Sequence, residues 1–491
     1  MRQKISVVVA AFAVSLFLFQ MGNAALARIS GFDTEFHGHL QSSFTLRDTT
    51  GMQYGFLDQT EGVQALQELL LDLAVSPNYV GLKPDYRIEK IFFRYRGAYD
   101  AIFDLRQEEY KGVRDSGYSR FDLDKDDLKF ENDMREIFID MVAEPSGSQF
   151  RSNLRLGRQI VQWGESDGFN LINVVNPNDY RRQLFFANPE DLLAPLWMGR
   201  LDMKTGGGGT FKEFNLQLLA IPDIRPNIWA PMVPTDAAPY GIWFEEIGIE
   251  VRQDQVRSSG VENMEGGVRL GTVIADTNIY LYYFDGWQHE GIWGRLLLDP
   301  TSIATDGYMT LAHPRAQTYG YSFATFIDHG GFVFRGEGSL TKGAATFDLS
   351  SPNLRSEHDH YQALLGFDKD FSQVVPGTDS ALVTNLQIYY SHISGIEDDL
   401  SIYPVAVPDN WRATLVLQTN FWNGRITPSL FLLYDFEGVA LCNLSLNYTI
   451  DDHWYMGVTS MSIWGDTNNA SPWMPYIETA SELNFKVGWR W

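Results

Sequence analysis

The sequence predicts an all-β protein, a transmembrane antiparallel β-barrel of about 16–18 strands with long loops at one end. Three observations predict it. Polar and apolar residues alternate with period two in segment after segment. The connections between those segments alternate between short and long. The chain opens with an export signal, and no later apolar stretch reaches the roughly 20 residues that a membrane-crossing helix needs.

The alternation is clearest in four places. In "FHGHLQSSFTLR", Phe36, Leu40, Phe44 and Leu46 share one face, and His37, His39, Gln41, Thr45 and Arg47 the other. In "WRATLVLQTNF", Trp411, Ala413, Leu415, Leu417 and Phe421 oppose Arg412, Thr414, Gln418 and Asn420. "LCNLSLNYTI" sets Cys442, Leu444, Leu446, Tyr448 and Ile450 against Asn443, Ser445, Asn447 and Thr449. The chain ends on "LNFKVGWRW", with Leu483, Phe485, Val487, Trp489 and Trp491 on one face and Asn484, Lys486 and Arg490 on the other. A membrane barrel imposes this pattern on every strand, because one face meets lipid and the other a wet lumen.

About eighteen such segments can be placed, with boundaries uncertain by a few residues. They start near residues 36, 64, 88, 134, 150, 196, 210, 266, 277, 316, 332, 360, 381, 411, 426, 439, 454 and 482. The second, "ALQELLLDLA", also reads as a short amphipathic helix; alternation of Leu69, Leu71 and Leu73 with Glu68 and Asp72 favours a strand. Counting back from Trp491, the turns expected on the periplasmic side are 451–453, Asn423-Gly424, 329–331, 275–277, Gly206–Gly209 and 144–148. Asn-Gly is the strongest hairpin cue among them. The alternate connections are long and polar: 107–133, 162–195, 222–265, 286–315, 394–410 and 465–478, with only the brief "DFEG" at 435–438 out of step.

Residues 1–27 read as a cleaved signal peptide. Arg2 and Lys4 precede an apolar run, and Ala25-Leu26-Ala27 offers a small-residue cleavage site. Residues 28–491 then form one barrel domain. The chain carries 38 Lys and Arg against 62 Asp and Glu, a net charge of -24, which argues against nucleic acid as a partner. Its 13 Trp, 23 Tyr and 32 Phe suit interfacial girdles. Cys442 stands alone, so an intrachain disulfide, a four-cysteine zinc site and a CxxCH haem attachment are all excluded.

Three motifs invite a chemical reading. Gly164-Glu165-Ser166-Asp167-Gly168 matches G-x-S-x-G, but an Asn- and Pro-rich segment follows it where an α/β hydrolase needs a helix. Asp122, Asp124, Asp126 and Asp133 have calcium-loop spacing, yet Asp127 sits where the sharp turn needs Gly. His37/His39 and His358/His360 share strand faces without a further ligand. No catalytic residue, metal site or cofactor is expected from these.

Inward-facing charge says more. By parity Arg94, Arg96, Arg151, Arg155, Arg269, Arg335, Arg412, Lys486 and Arg490 point into the lumen with Glu136, Asp140 and Glu337. Most other acids fall in the loops, so an acidic chain can have a basic pore. The arginines then either line a selectivity ladder or are solvated and mutually paired. Arg158 shares parity with Leu154 and Leu156, which requires a position near the rim or a bulge. The loop 162–195 is less polar than an exposed loop, with Trp163, Phe169, Ile172, Val175, Phe185 and Phe186. It is expected to fold inward as a constriction, setting Glu165 and Asp167 against Arg181 and Arg182; packing on the outer rim is the alternative.

"LRLGRQIVQWGESDGFNLINVVNPNDYRR", preceded by "REIFIDMV", resembles a proteobacterial outer-membrane family of unassigned function, domain of unknown function thirteen-oh-two. The resemblance centres on Gly157-Arg158-Gln159, Trp163-Gly164-Glu165-Ser166 and Asn176-Pro177, and extends loosely over most of the chain. It implies a porin-like barrel in the outer membrane, accompanying export machinery for lipids or hydrophobic compounds, and supplies no catalytic residue. Segments 107–133 and 222–265 have no counterpart in it.

The expected function is therefore a channel passing a polar or anionic solute, or one assisting export of a hydrophobic compound, without enzymatic chemistry. A closed barrel serving a periplasmic exporter or electron-transfer complex is the rival, and an outer-membrane lipase a weaker one. Expected partners are outer-membrane lipid, periplasmic exporter components and the barrel-assembly machinery, which would read Phe485, Val487, Trp489 and Trp491 as its signal.

Overall fold

A computed structural model describes residues 32–48, 60–77, 85–106, 128–179, 192–228, 260–289, 313–347, 355–372, 374–395, 409–436, 438–465 and 481–491, with the short strands 251–252, 298–299 and 309–311. The expected signal peptide and the Asp122–Asp127 motif lie outside these residues.

Eighteen long strands form one sheet: β1 (Phe32–Asp48), β2 (Thr60–Pro77), β3 (Tyr86–Asp100), β4 (Phe130–Ala143), β5 (Arg151–Gln159), β6 (Leu196–Gly208), β7 (Phe211–Ile221), β8 (Glu265–Ile274) and β9 (Thr277–Trp287), then β10 (Arg315–Ile327), β11 (Phe332–Phe347), β12 (Arg355–Phe371), β13 (Leu382–Ile393), β14 (Asp409–Gln418), β15 (Ile426–Asp435), β16 (Val439–Thr449), β17 (Trp454–Gly465) and β18 (Glu482–Arg490). The expected starts fall within about five residues of the observed ones. The ambiguous "ALQELLLDLA" lies inside β2, as a strand.

Every strand pairs antiparallel with its sequence neighbours, and β18 pairs back to β1 from His39↔Arg490 to Arg47↔Glu482. The sheet is closed, so none of the eighteen strands presents an unpaired edge to hydrocarbon. The seam is reinforced from inside: Arg47 Nε donates to Glu482 Oε1 at 3.0 Å and Asn484 Nδ2 to Thr45 Oγ1 at 2.9 Å.

Alternation in sequence becomes two faces. On β13, Leu386 and Ile388 are each 37% exposed on the outside, while Gln387 and Tyr389 between and beside them are buried inside. Leu281, Leu444, Leu446, Phe485 and Val487 continue the outer apolar surface. Exposed aromatics gather at both ends of it: Trp197, Trp411, Tyr434 and Trp464 near one rim, Tyr86, Phe371, Trp422 and Trp454 near the other. Two such girdles suit the two membrane–water interfaces.

Short connections, the start of β1 and the end of β18 share one rim. Ala275 and Asp276 form a two-residue turn with φ of 45° and 67°, and Asn423-Gly424, with 56° and 77°, form the centre of a four-residue turn closed by the Phe421↔Ile426 bridge, in which Trp422 also has φ 55°. Both residues of each pair take the positive φ that a type I′ hairpin turn needs. The brief "DFEG" joins β15 to β16 at the opposite rim, the one that carries the long connections. Trp491 lies just past β18 but keeps its pattern: its N–H donates to Gly38 O at 3.1 Å, and its ring stacks on Trp489 with centroids 4.6 Å apart. Gly38 leaves room for that ring, since a Cβ there would lie 2.4 Å from Trp491 Cζ2.

The irregularity at Arg158 has two sources. Gly157 takes φ +142°, and the register of β4 against β3 shifts between Arg94 and Tyr95. Arg158 is held there by Asp133 Oδ1 at 2.6 Å, Met134 O at 2.6 Å and Pro195 O at 3.3 Å. A guanidinium with three oxygen partners needs no lipid-facing solvation.

Candidate functional site

The connection between β5 and β6 is described over 160–179 and 192–195, and it lies inside the barrel. Its base is tied to its own hairpin by Asn176, whose side chain accepts from Val161 N at 2.8 Å and donates to Gln159 O and Ala194 O. From there the loop runs along the inner wall. Trp163 Nε1 donates to Gln217 Oε1 on β7 at 2.7 Å, and its ring packs against Tyr282 and Phe284 on β9. Ile172 fills the space left by Gly320 on β10, where a Cβ would come within 2.8 Å of its Cδ1.

The tightest fixing is on β11. Glu337, 1% exposed, accepts from Glu165 N at 2.5 Å and from Ile172 N at 3.0 Å. Gly164 makes that approach possible: it has φ +92°, and a Cβ would sit 2.5 Å from Glu337 Oε2. Arg335 donates to Glu165 O at 2.8 Å, to Asp167 Oδ2 at 2.6 Å and to Asp368 Oδ1 at 2.9 Å. Asn385 and Gln387 on β13 also donate to Asp167 Oδ2, at 2.6 and 2.9 Å. The loop tip reaches β14, with Phe169 edge-on to Tyr389 at 4.8 Å and beneath the Arg412 guanidinium at 5.2 Å. Burial raises the Glu165 carboxyl above the usual carboxylate range, against the lowering pull of Arg335.

Glu165 and Asp167 thus face Arg335. The expected partners Arg181 and Arg182, like Phe185 and Phe186, lie outside the described residues. Ser166 spends its hydroxyl on Phe169 O and lies 3.4 Å from Tyr389 OH, a turn-stabilising arrangement. Among the described residues no group of three or more His, Cys, Asp and Glu side chains could hold a metal ion. His358 bonds Ser356 and the Ser394 carbonyl, and His37 and His39 line a cavity of about 500 Å³ at the short-turn rim with Asp72, His453 and Arg490.

The wall arginines are mostly neutralised. Arg94 bridges Asp72 and Glu136, Arg96 meets Glu68 at 2.6 Å, and Arg155 meets Asp140 at 2.7 Å. Arg412 pairs with Asp435 at 2.9 Å and Arg151 with Glu89 at 2.8 Å. Acids on neighbouring strands supply the partners, because an unpaired guanidinium on a half-buried wall is costly. Glu337, Asp368, Asn385, Gln387 and Tyr389 are the loop-holding residues; parity marks some as inward, but nothing in the sequence shows that a loop docks on them.

Above the wall, His289 and His313 are buried near the long-loop rim. His289 Nδ1 lies 2.8 Å from Arg225 O and His313 Nδ1 2.9 Å from Gln288 O, and neither Nε2 has a hydrogen-bond partner among the described residues. The Glu265 carboxylate, 3.8 Å from His289, is beyond hydrogen-bonding reach. Burial pushes both imidazoles down to about 4. An opened chain takes up protons from about pH 6.5 downward, whereas the folded one resists until about 4. Stability stored here is therefore complete at neutral pH and lost as the pH falls through that window, by about 3 kcal/mol for each imidazole. Protection factors of the amides at 286–289 and 313–316, with exchange corrected for its own base catalysis, should fall between pH 7 and 4.5; constant protection would contradict this.

The sequence profile of the family described as "Protein of unknown function (DUF1302)" matches residues 74–489. The chain belongs to that family. The DUF1302 match spans all but the first two strands of the barrel. No curated protein matches the chain. Among solved structures, Acinetobacter baumannii OccAB1 is similar at 9% identity and TM-score 0.47, over 95% of this chain and 98% of that one. Pseudomonas aeruginosa OpdK with vanillate gives 9% and 0.45 over 94% and 98%, and Salmonella typhi OmpF with daunomycin 9% and 0.38 over 94% and 98%. This DUF1302 member is a closed antiparallel β-barrel of eighteen strands.

Proposed function

We propose that this protein resides in the outer membrane and acts as a channel, passing a small polar or anionic solute through a lumen that its own β5–β6 loop narrows. The observation that carries this reading is the docking of residues 163–172 against the inner faces of β7 to β14 through Gln217, Arg335, Glu337, Gln387 and Tyr389. A loop fixed by that many polar contacts to one half of the wall restricts the passage to the other half. The inner wall carries carboxylates, amides and guanidinium groups, whereas the outer surface is apolar, which fits a wet lumen in a lipid bilayer. Passage through such a lumen needs no covalent step. Conductance of the refolded protein across a planar bilayer tests the reading. Stepwise insertion currents are expected, larger in a variant lacking 164–172; silence from both proteins would overturn it.

A further inference from the structure

Beneath the loop, on the side of the short turns, lies a cavity of about 390 Å³ lined by Arg151, Asn153, Arg200, Asp202, Lys204 and Arg269 together with Gln217 and the loop residues Ile160, Val161 and Gln162. Cross-strand register builds its floor. Asn153↔Asp202, Asp202↔Gln217 and Gln217↔Arg269 form one continuous row over β5, β6, β7 and β8, with Arg151↔Lys204 one row nearer the short turns. Four cations therefore face one acid.

Their partners differ. Arg200 is held by Asp202 at 2.7 Å, Arg151 by Glu89 outside the cavity, and Lys204 by Glu213 at a loose 3.4 Å. Asp202 is further engaged by Gln217 Nε2 at 2.6 Å. Arg269 stands apart: among the described residues no carboxylate lies within ion-pair distance of it, and its guanidinium rests 5.2 Å from the Tyr280 ring centroid. Arg94, Arg96, Arg155, Arg335 and Arg412, by contrast, each carry a carboxylate partner. A planar guanidinium beside an aromatic ring, with no carboxylate partner among the described residues, can receive an oxyanion in a two-point contact. Gln217 offers its amide beside it, and the apolar Ile160 and Val161 close the cavity from the loop side.

We infer that this cavity is a binding site for a small organic monocarboxylate, whose carboxylate pairs with Arg269 and whose apolar body packs under Ile160 and Val161. The inference rests on reading the lumen as a solute path, and it adds the class of solute and where it pauses. Arg269 supplies the charge that attracts an anion, because the other three lining cations are each paired with a carboxylate, and Asp202 keeps the site from becoming a trap.

Equilibrium titration of the detergent-folded protein by calorimetry tests this without requiring conduction, so a silent bilayer recording and a failed titration are separate results. Hexanoate should bind the wild type, bind Arg269→Gln about tenfold more weakly, as loss of a charge-assisted hydrogen-bonded pair predicts, and bind Arg425→Gln, altered in the exposed turn between β14 and β15 away from the cavity, unchanged. Asn153→Asp, which adds a second carboxylate to the same row, should also lose binding and decides the matter if Arg269→Gln does not fold. Equal affinity of wild type and both cavity variants, or no hexanoate binding to the wild type, overturns the site. Inorganic phosphate binding as tightly as hexanoate overturns the apolar half of it.

Discussion

Glu337→Ala should open the channel several-fold. The carboxylate of Glu337 holds Glu165 N and Ile172 N at once, and both would be left without their acceptor in a wall that admits little water. Each orphaned amide costs about 1–3 kcal/mol, so the middle of the loop loses roughly 2–6 kcal/mol of docking energy. The loop does not leave altogether. Trp163, Ile172 and Val175 remain buried, each contributing about 1.5–3 kcal/mol, and Asn176 still ties the base to β5 and β6. The expected outcome is a folded barrel with higher single-channel conductance, more current noise and faster uptake of large neutral sugars in a liposome-swelling assay. Glu337→Gln keeps one acceptor and should fall between the two. Wild-type conductance and sieving in Glu337→Ala would show that the loop does not set the aperture.

Gly157→Val should abolish assembly. At φ +142° a side chain is strained before any neighbour is considered. A Cβ there would lie 2.1 Å from Ile137 O and 2.6 Å from Phe138 Cα, and both are backbone atoms that cannot swing aside. The contact sits where β4 and β5 share only the run from Ile137↔Arg158 to Ala143↔Ser152, so the clash disrupts a short pairing in a closed sheet. The cost is roughly 4 kcal/mol or more, the range of severe backbone mutations. Gly209→Ala provides the contrast: φ is +64° but nothing lies within 4 Å of the added Cβ, so about 1 kcal/mol is expected. Refolding yield, read from the heat-modifiable band on a gel, should vanish for Gly157→Val and stay near normal for Gly209→Ala. Comparable yields would contradict the geometric argument.

These two predictions also mark what the amino-acid order makes legible. Period-two alternation needs only local parity, and parity alone recovers the eighteen strands, the outward stripe Phe485–Val487–Trp489 and the inward row of arginines. Charge pairing needs register as well. Asp72↔Arg94, Asp140↔Arg155 and Arg412↔Asp435 face one another directly across neighbouring strands, and the stagger that aligns them is a property of the closed sheet. Without it the arginines read as a bare basic ladder. With it most are neutral pairs, and Arg269 emerges as the exception. The loop's apolar residues signal that it buries something, but its partners Glu337, Gln387 and Tyr389 lie more than 150 positions away in the chain, a distance no local pattern spans.

That separation has a consequence for how the molecule comes together. Residues 163–172 belong to the hairpin of β5 and β6, yet their receptor surface is made by β7 through β14. The loop has nowhere to dock until those strands stand side by side. Contacts between such distant positions form late, because the chain entropy that they cost must first be offset by nearer pairings. A nascent barrel therefore passes through a stage with its strands in place and its interior still unobstructed, and the inner loop is the last part to be installed.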